Sequence, residues 1–275
     1  MTAGPDLILQ RSSRWRALNL REVWAYRELL YFFVWRDIKV RYKQTFLGIT
    51  WVLIRPILTV AVFSIIFGKL ARIPSEELPY PLFVLAGTIP WTYFSGALSA
   101  GSSSLVANAH MITKVYFPRL VIPLASIMAC LVDAAISFVL ILGLMSWYGR
   151  TPRFSAIWVI PLLFLLTAVV SLGASLWLGS LNVTYRDVGN AVPFLLQIWM
   201  YATPIVYPLS LIPAEWRWVA SINPMVGIVD GFRSALFHRP WNFESLSLSV
   251  AFGIVLLISG LFFFRASERD FADSV

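Results

Sequence analysis

Cysteine is nearly missing: Cys130 is the single one among 275 residues. That excludes an intrachain disulfide and any cysteine-based metal cluster. Its place in an apolar run reads as a small packed hydrophobe. Histidine is scarce as well. His110 and His238 have no carboxylate or cysteine cluster beside them in the sequence, so nothing is at hand to build a metal centre or a nucleophilic active site. No G-x-x-x-x-G-K-[ST] phosphate loop occurs; if ATP drives this chain, another polypeptide binds it. Charge is thin, with Asp, Glu, Lys and Arg at 13% against roughly a quarter in soluble domains. Residues 1–28 lack a compact apolar core followed by a small-residue cleavage site. No secretory leader is expected, and insertion falls to the first span.

What is present is apolar. Hydrophobic residues make up 59% and mean hydropathy is +0.75, the composition of a membrane protein. The net charge of +8 resides in residues that flank apolar segments instead of forming one patch, which points to lipid and away from nucleic acid. The expected fold is an all-α polytopic membrane protein. Residues 1–22 form a basic tail and 23–44 an amphipathic interface helix. On a helical wheel over Leu20–Lys43, Arg21, Glu28, Arg36, Lys39 and Lys43 face away from Val23, Leu30, Phe33 and Val34. Arg27, Asp37 and Arg41 interrupt that pattern. Too charged to span, this helix is expected to lie on the membrane surface. Residues 45–265 form a transmembrane domain and 266–275 a closing tail.

Hydropathy divides that domain into six spans: Phe46–Phe67, Pro81–Leu105, Leu120–Trp147, Ile157–Leu181, Ala191–Tyr207 and Leu246–Phe264. With the N-terminus inside, the inner connections hold 14 Lys and Arg and the outer ones 7, the remaining one being Arg55 within the first span. Both termini are therefore expected in the cytoplasm. The outer segment 208–245 carries apolar residues spaced as two short helices broken near Asn223-Pro224, the pattern of re-entrant helices that dip into the outer interface.

One inner connection is unusually furnished. Residues 106–119 hold Asn108, His110, Lys114 and Arg119 beside Met111, Ile112, Val115, Tyr116 and Phe117. A plain reversal needs only a few turn residues. This stretch fits about two turns of amphipathic helix with Met111, Val115 and Ile112 on one side, a surface made to touch a partner. Within the spans, Arg55 and Asp133 are costly unless paired or lining a polar path. Small residues recur four apart at Gly96, Ala100 and Ser104, and again at Ser171, Ser175 and Gly179, which lets helix backbones approach closely. Trp51, Trp199 and Tyr201 offer flat rings with polar edges, suited to sugar faces along a path. The sequon Asn182-Val183-Thr184 falls on the inner side and is read as accidental.

Taken in order, RYKQTFLGITWVLIRP (Arg41–Pro56), PYPLFVLAGTIPW (Pro79–Trp91), NAHMITKVYFPRLVIP (Asn108–Pro123), LNVTYRDV (Leu181–Val188), YATPIVYP (Tyr201–Pro208), NPMVGIVDGFR (Asn223–Arg233) and the closing ERDFADSV resemble the membrane subunits of type-2 ABC polysaccharide exporters, the O-antigen and teichoic-acid permeases. The resemblance runs from about residue 20 onward. It implies a homodimer in the bacterial cytoplasmic (inner) membrane, paired with two copies of a separate ABC ATPase that holds ATP and Mg. No cofactor is expected on this chain. It also implies a lipid-linked glycan cargo of the undecaprenyl-diphosphate type. In that picture Asn108, His110, Met111, Ile112, Lys114, Val115, Tyr116 and Phe117 form the segment that couples to the ATPase. Asn223, Pro224, Asp230 and Arg233 belong to the outer gate. The family usually carries an uncharged polar residue, often Gln, where this chain has Arg55, so no path role is carried over there; Asp133 is its candidate partner. Two other readings are an exporter of a drug or small lipid with the same architecture, and a membrane enzyme of glycan assembly. The enzyme would need clustered carboxylates or histidines on one side, and the sequence has none.

Overall fold

A computed structural model describes residues 20–43, 50–268 and 271. The basic tail 1–19, the join 44–49 and most of the closing tail lie outside the described residues. Every element described is helical. The elements are α1 (Leu20–Ala25), α2 (Arg27–Lys43), α3 (Thr50–Phe63, continued by a π-helical turn Ser64–Leu70), α4 (Tyr80–Ala107), α5 (Ala109–Lys114), α6 (Val121–Trp147), α7 (Ala156–Thr184), α8 (Asp187–Ala202), α9 (Ala214–Ile222), α10 (Pro224–Phe237) and α11 (Phe243–Ser267).

Five of these are long and apolar enough to cross a membrane: α3 with its π-helical extension, α4, α6, α7 and α11. The fifth expected span differs. α8 has 16 residues, about 24 Å at 1.5 Å per residue, short of the roughly 30 Å of hydrocarbon. It stops because Thr203 precedes Pro204, and a residue before proline disfavours the α conformation. The Thr203 hydroxyl then donates to Trp199 O at 2.9 Å, and the chain runs on irregularly to Pro208.

α4 is the hub. It is the least apolar of the five yet has 78% of its best apolar window buried, because its neighbours, not lipid, receive its surface. Close approach depends on small residues. A Cβ at Gly101 would lie 2.5 Å from Ser175 Oγ, and Gly179 faces the carbonyls of Gly101 and Ser102. Ser171, Ser175 and Gly179 are thus the α7 face expected from their spacing. On α4 the contact is centred on Gly101 and Ser102, whereas Gly96 faces open space. Between α7 and α11, a Cβ at Gly173 would meet Leu257 N at 2.6 Å and one at Gly260 would meet Gly173 O at 2.5 Å.

α3 is the opposite case, with 6% of its window buried. Its face of Ile57, Leu58, Val62, Ile65 and Ile66 is exposed, as are Phe194, Leu195, Ile198 and Tyr201 on α8.

α2 packs along α6. Phe33 meets Phe117, Asp37 meets Ser126, and Arg41 meets Cys130 and Asp133, so its contacts advance in step along α6. Asp133 is about 18 Å from the start of α6 at that rise. The interrupting charges are the reason: Asp37 and Arg41, four apart on one helical face, point at α6. Trp24, Tyr31, Phe32 and Trp35 take the outer side. The expected apolar side, Val23, Leu30, Phe33 and Val34, packs into a buried cluster, and Glu28, Lys39 and Lys43 are exposed as expected; what the spacing did not separate is the inner polar seam of Asp37 and Arg41 and the exposed aromatics on the outer side.

Candidate functional site

The long helices converge at one end on a buried cluster of Val23, Phe33, Leu105, Ile112, Phe117, Val121, Val183, Leu261, Phe264 and Phe271. The 106–119 stretch is built on it. α4 ends at Ala107, where Asn108 donates its backbone N–H and its side-chain amide to Ser104 O, at 3.2 and 2.8 Å. Its own carbonyl accepts from Met111 N at 2.9 Å and opens α5. α5 lasts six residues, after which Val115 is extended. Pro118 follows and α6 begins.

This break sorts the side chains. Ile112 and Phe117 are buried and Met111 is half-buried, while His110, Thr113, Lys114, Val115 and Tyr116 are exposed, Tyr116 at 85%. Met111 and Val115 would share a face only if the helix continued; because it stops at Lys114, Val115 turns outward. Phe117 stacks edge-on against Phe33, with centroids 5.8 Å apart. An open cavity of about 210 Å³ is lined by Ile112, Thr113, Lys114, Val115, Tyr116, Phe117 and Arg119. The result is an apolar base carrying an exposed basic and aromatic rim, with Lys114 as its outward cation.

The polar seam lies beside it. Arg41 Nη1 donates to Asp133 Oδ2 at 2.5 Å and Nη2 to Cys130 Sγ at 3.3 Å. The Tyr42 hydroxyl donates to Asp133 Oδ1. Burial pushes the Tyr42 phenol above its ordinary range, and the bond to Asp133 adds to the shift, so Tyr42 stays a donor. The pair considered between Arg55 and Asp133 is not formed: Arg55 is exposed on α3, and Asp133 is satisfied by Arg41 and Tyr42. The signal for this partner was in the sequence, in the acid and base four residues apart on the wrong face of α2.

At the far end, Arg233 is 1% exposed in α10. Its Nη2 donates to Ile205 O at 2.6 Å, and its guanidinium lies 3.6 Å from the Phe83 ring centroid. Gly87 provides the room, since a Cβ there would lie 2.9 Å from Nη2. Around it, the Tyr80 hydroxyl donates to Val206 O at 2.6 Å, Ser210 to Glu76 at 2.8 Å, and Arg239 pairs with Glu76. Asp230 is half-buried one turn before Arg233. Asn223 caps α10, accepting from Met225 N at 3.0 Å with Pro224 in the first turn. The same Oδ1 accepts from Trp199 Nε1 at 2.9 Å, and the Asn223 amide donates to Thr203 Oγ1 at 2.9 Å. α8 is thereby tied to the break between α9 and α10.

The aromatic candidates separate. Trp199 packs edge-on against Phe94 and Trp91, at 5.0 and 6.5 Å between centroids. Trp51 and Tyr201 are exposed on α3 and α8. No group of His, Cys, Asp and Glu suited to a metal ion occurs among the described residues. Asn182 is buried, with its amide donating to Ser102 O at 3.1 Å, so the sequon is a packing residue.

Comparison with known proteins bears on the same stretches. The family described as ABC-2 type transporter matches residues 28–237. An O-antigen export system permease protein RfbA of Myxococcus xanthus is 32% identical over 260 residues, covering 93% of this chain and 98% of that protein. A Klebsiella pneumoniae protein of the same name is 31% identical, with 86% of this chain and 91% of that protein covered. The Escherichia coli polysialic acid transport protein KpsM is 26% identical, over 85% of this chain and 91% of its own length. With all of α3 to α10 and α2 from Glu28 onward inside the matched region, and relatives aligned over nearly their whole length, this chain belongs to the ABC-2 type transporter family.

Proposed function

We propose that this chain is the membrane subunit of an ATP-driven exporter that moves a lipid-linked polysaccharide of the O-antigen or capsule class, with undecaprenyl diphosphate as carrier, across the bacterial cytoplasmic membrane. The observation that carries the reading is the exposed rim of residues 110–116 on its buried base, in a chain whose relatives are permeases of O-antigen and polysialic acid export. In this reading His110, Lys114, Val115 and Tyr116 seat in a separate ABC ATPase, which binds ATP and Mg and performs the hydrolysis. Asn108, Ile112 and Phe117 hold that rim, with Met111 at its edge. This chain breaks no bond.

Two copies with two ATPase subunits form the transporter. α8 is the sixth crossing, completed by the irregular 203–208, and both termini lie in the cytoplasm. α9 and α10 form the outer gate, hinged at Asn223-Pro224 and held by Arg233. The exposed faces of α3 and α8 meet lipid or the second copy, and Trp51, Arg55 and Tyr201 on them line the path between copies. Trp199 supports the gate from behind the path, and Asp133 anchors α2.

Loss of the gene tests the cargo. The expected outcome is a lipid-linked glycan accumulating on the cytoplasmic face, found by extracting carrier-linked sugars. Normal glycan at the surface, with a drug or small lipid retained instead, contradicts it.

A further inference from the structure

Beyond α11, Phe271 joins the cluster beneath the coupling rim. Phe271 is 1% exposed. Its ring meets Phe264 edge-on, with centroids 5.4 Å apart, and it shares one buried cluster with Val23, Phe33, Ile112 and Phe117. Arg119, two residues past Phe117, clasps the same segment from the other side. Its guanidinium lies 5.8 Å from the Phe271 centroid, and its Nη1 donates to Glu268 O. A cation over a ring and a charged donor on a carbonyl are both directional, so Arg119 fixes Phe271 and Glu268 against the coupling stretch. Arg119 also lines the cavity beside Lys114 and Tyr116.

Followed the other way, α11 leads to the far end. There α10 is in backbone contact with it: a Cβ on Gly227 would overlap Ser245 O and Ser249 Oγ. Gly173 and Gly260 hold α11 against α7 along its length. α11 is therefore packed tightly to the gate-side helix at its start and to the coupling stretch at its end.

We propose that Phe271 and Arg119 form a latch that fastens the coupling stretch to α11, making them one body through which motion at the rim reaches α10. Phe271 is a positioning residue in this scheme. It touches neither the ATPase nor the cargo, and it fixes the base from which Lys114 and Tyr116 project. This rests on the coupling role proposed above, so its test needs one readout that does not depend on that role.

The test uses the full-length permease with Phe271→Ala, with Phe271→Leu as the conservative variant. Amide hydrogen exchange of the permease alone is the first readout. Removing a buried aromatic leaves a cavity under one segment. Exchange over residues 109–119 is expected to rise about tenfold in F271A while α4 and α7 keep wild-type rates, and F271L is expected to restore protection. Unchanged exchange at 109–119, or a rise spread evenly over all helices, overturns the latch. The second readout is association with the co-expressed ABC ATPase subunit, expected to weaken about tenfold in F271A and to recover in F271L. Full association despite faster exchange overturns the proposed transmission. A Lys114→Glu, Tyr116→Ala variant runs alongside; if it associates normally, the coupling reading fails, and the exchange result still decides the latch.

Discussion

Replacing Asp133 by Leu removes both acceptors of the seam between α2 and α6 while leaving Arg41 and Tyr42 in place. Arg41 then has only Cys130 Sγ for its guanidinium, and the Tyr42 hydroxyl loses its acceptor. The magnitude follows from burial. Breaking a fully buried ion pair by removing one partner costs about 3–5 kcal/mol, and an exposed pair is worth about 0.2–1 kcal/mol. The two side chains here are 32% and 34% exposed, which places the loss between these limits, at about 2 kcal/mol. Replacing Arg41 by Met in the same chain removes the stranded cation, and much of the loss is expected to return. Equilibrium unfolding in mild detergent, taken through the double-mutant cycle of R41M and D133L, reads the coupling directly. At least about 1 kcal/mol is expected. Additive losses within about 0.5 kcal/mol would refute the seam as an energetic link and reduce it to proximity.

Arg233→Met forfeits a charge-assisted bond to Ile205 O and the stacking on Phe83 at once; about 3 kcal/mol of stability is expected to go, and Arg233→Lys should recover little of it because ammonium lacks the planar fork. Asn223→Ala removes the cap of α10 and the Trp199 acceptor, at about 1–2 kcal/mol, with a change in Trp199 emission. Gly227→Ala forces a methyl into the α11 backbone and should cost about 1–3 kcal/mol or block folding, whereas Gly96→Ala, facing open space, should unfold like wild type. Exchanging Arg55 and Asp133 should rescue nothing, since Asp133 is held by Arg41.

The long helices were legible because sustained apolar length has few meanings in a chain so poor in charge. The two short helices α9 and α10 were legible from the break at Asn223-Pro224, where Asn223 caps α10 and Pro224, lacking an N–H, suits its first turn. The 106–119 stretch stood out as polar and apolar residues beyond what a turn needs, but its faces could not be read. Helical spacing places Val115 with Met111, and only the end of α5 at Lys114 turns Val115 outward. Asp133 inside a span calls for a partner, and hydropathy alone points to Arg55 where the fold supplies Arg41 and Tyr42. Arg55 shares its apolar surroundings, whereas Arg41 lies 92 residues away in a helix whose charges looked solvated. Proline had the converse effect at α8: hydropathy continues through Tyr207, and Thr203-Pro204 ends the helix before the apolar run ends. Phe271 stood in the sequence only as part of the closing ERDFADSV, and a motif match gives no contact; the fold is what brings it to Arg119.

The central claim is that the rim at residues 110–116 transmits work from an ATPase to a glycan-export path. Proteoliposomes holding the permease and its ATPase subunit, loaded outside with undecaprenyl-diphosphate-linked glycan, measure it as ATP-dependent appearance of glycan in the lumen. For wild type the account predicts transfer that requires both ATP and the ATPase subunit. For the Lys114→Glu, Tyr116→Ala variant it predicts normal insertion with no transfer. Undiminished transfer by that variant, or transfer without the ATPase subunit, would contradict it.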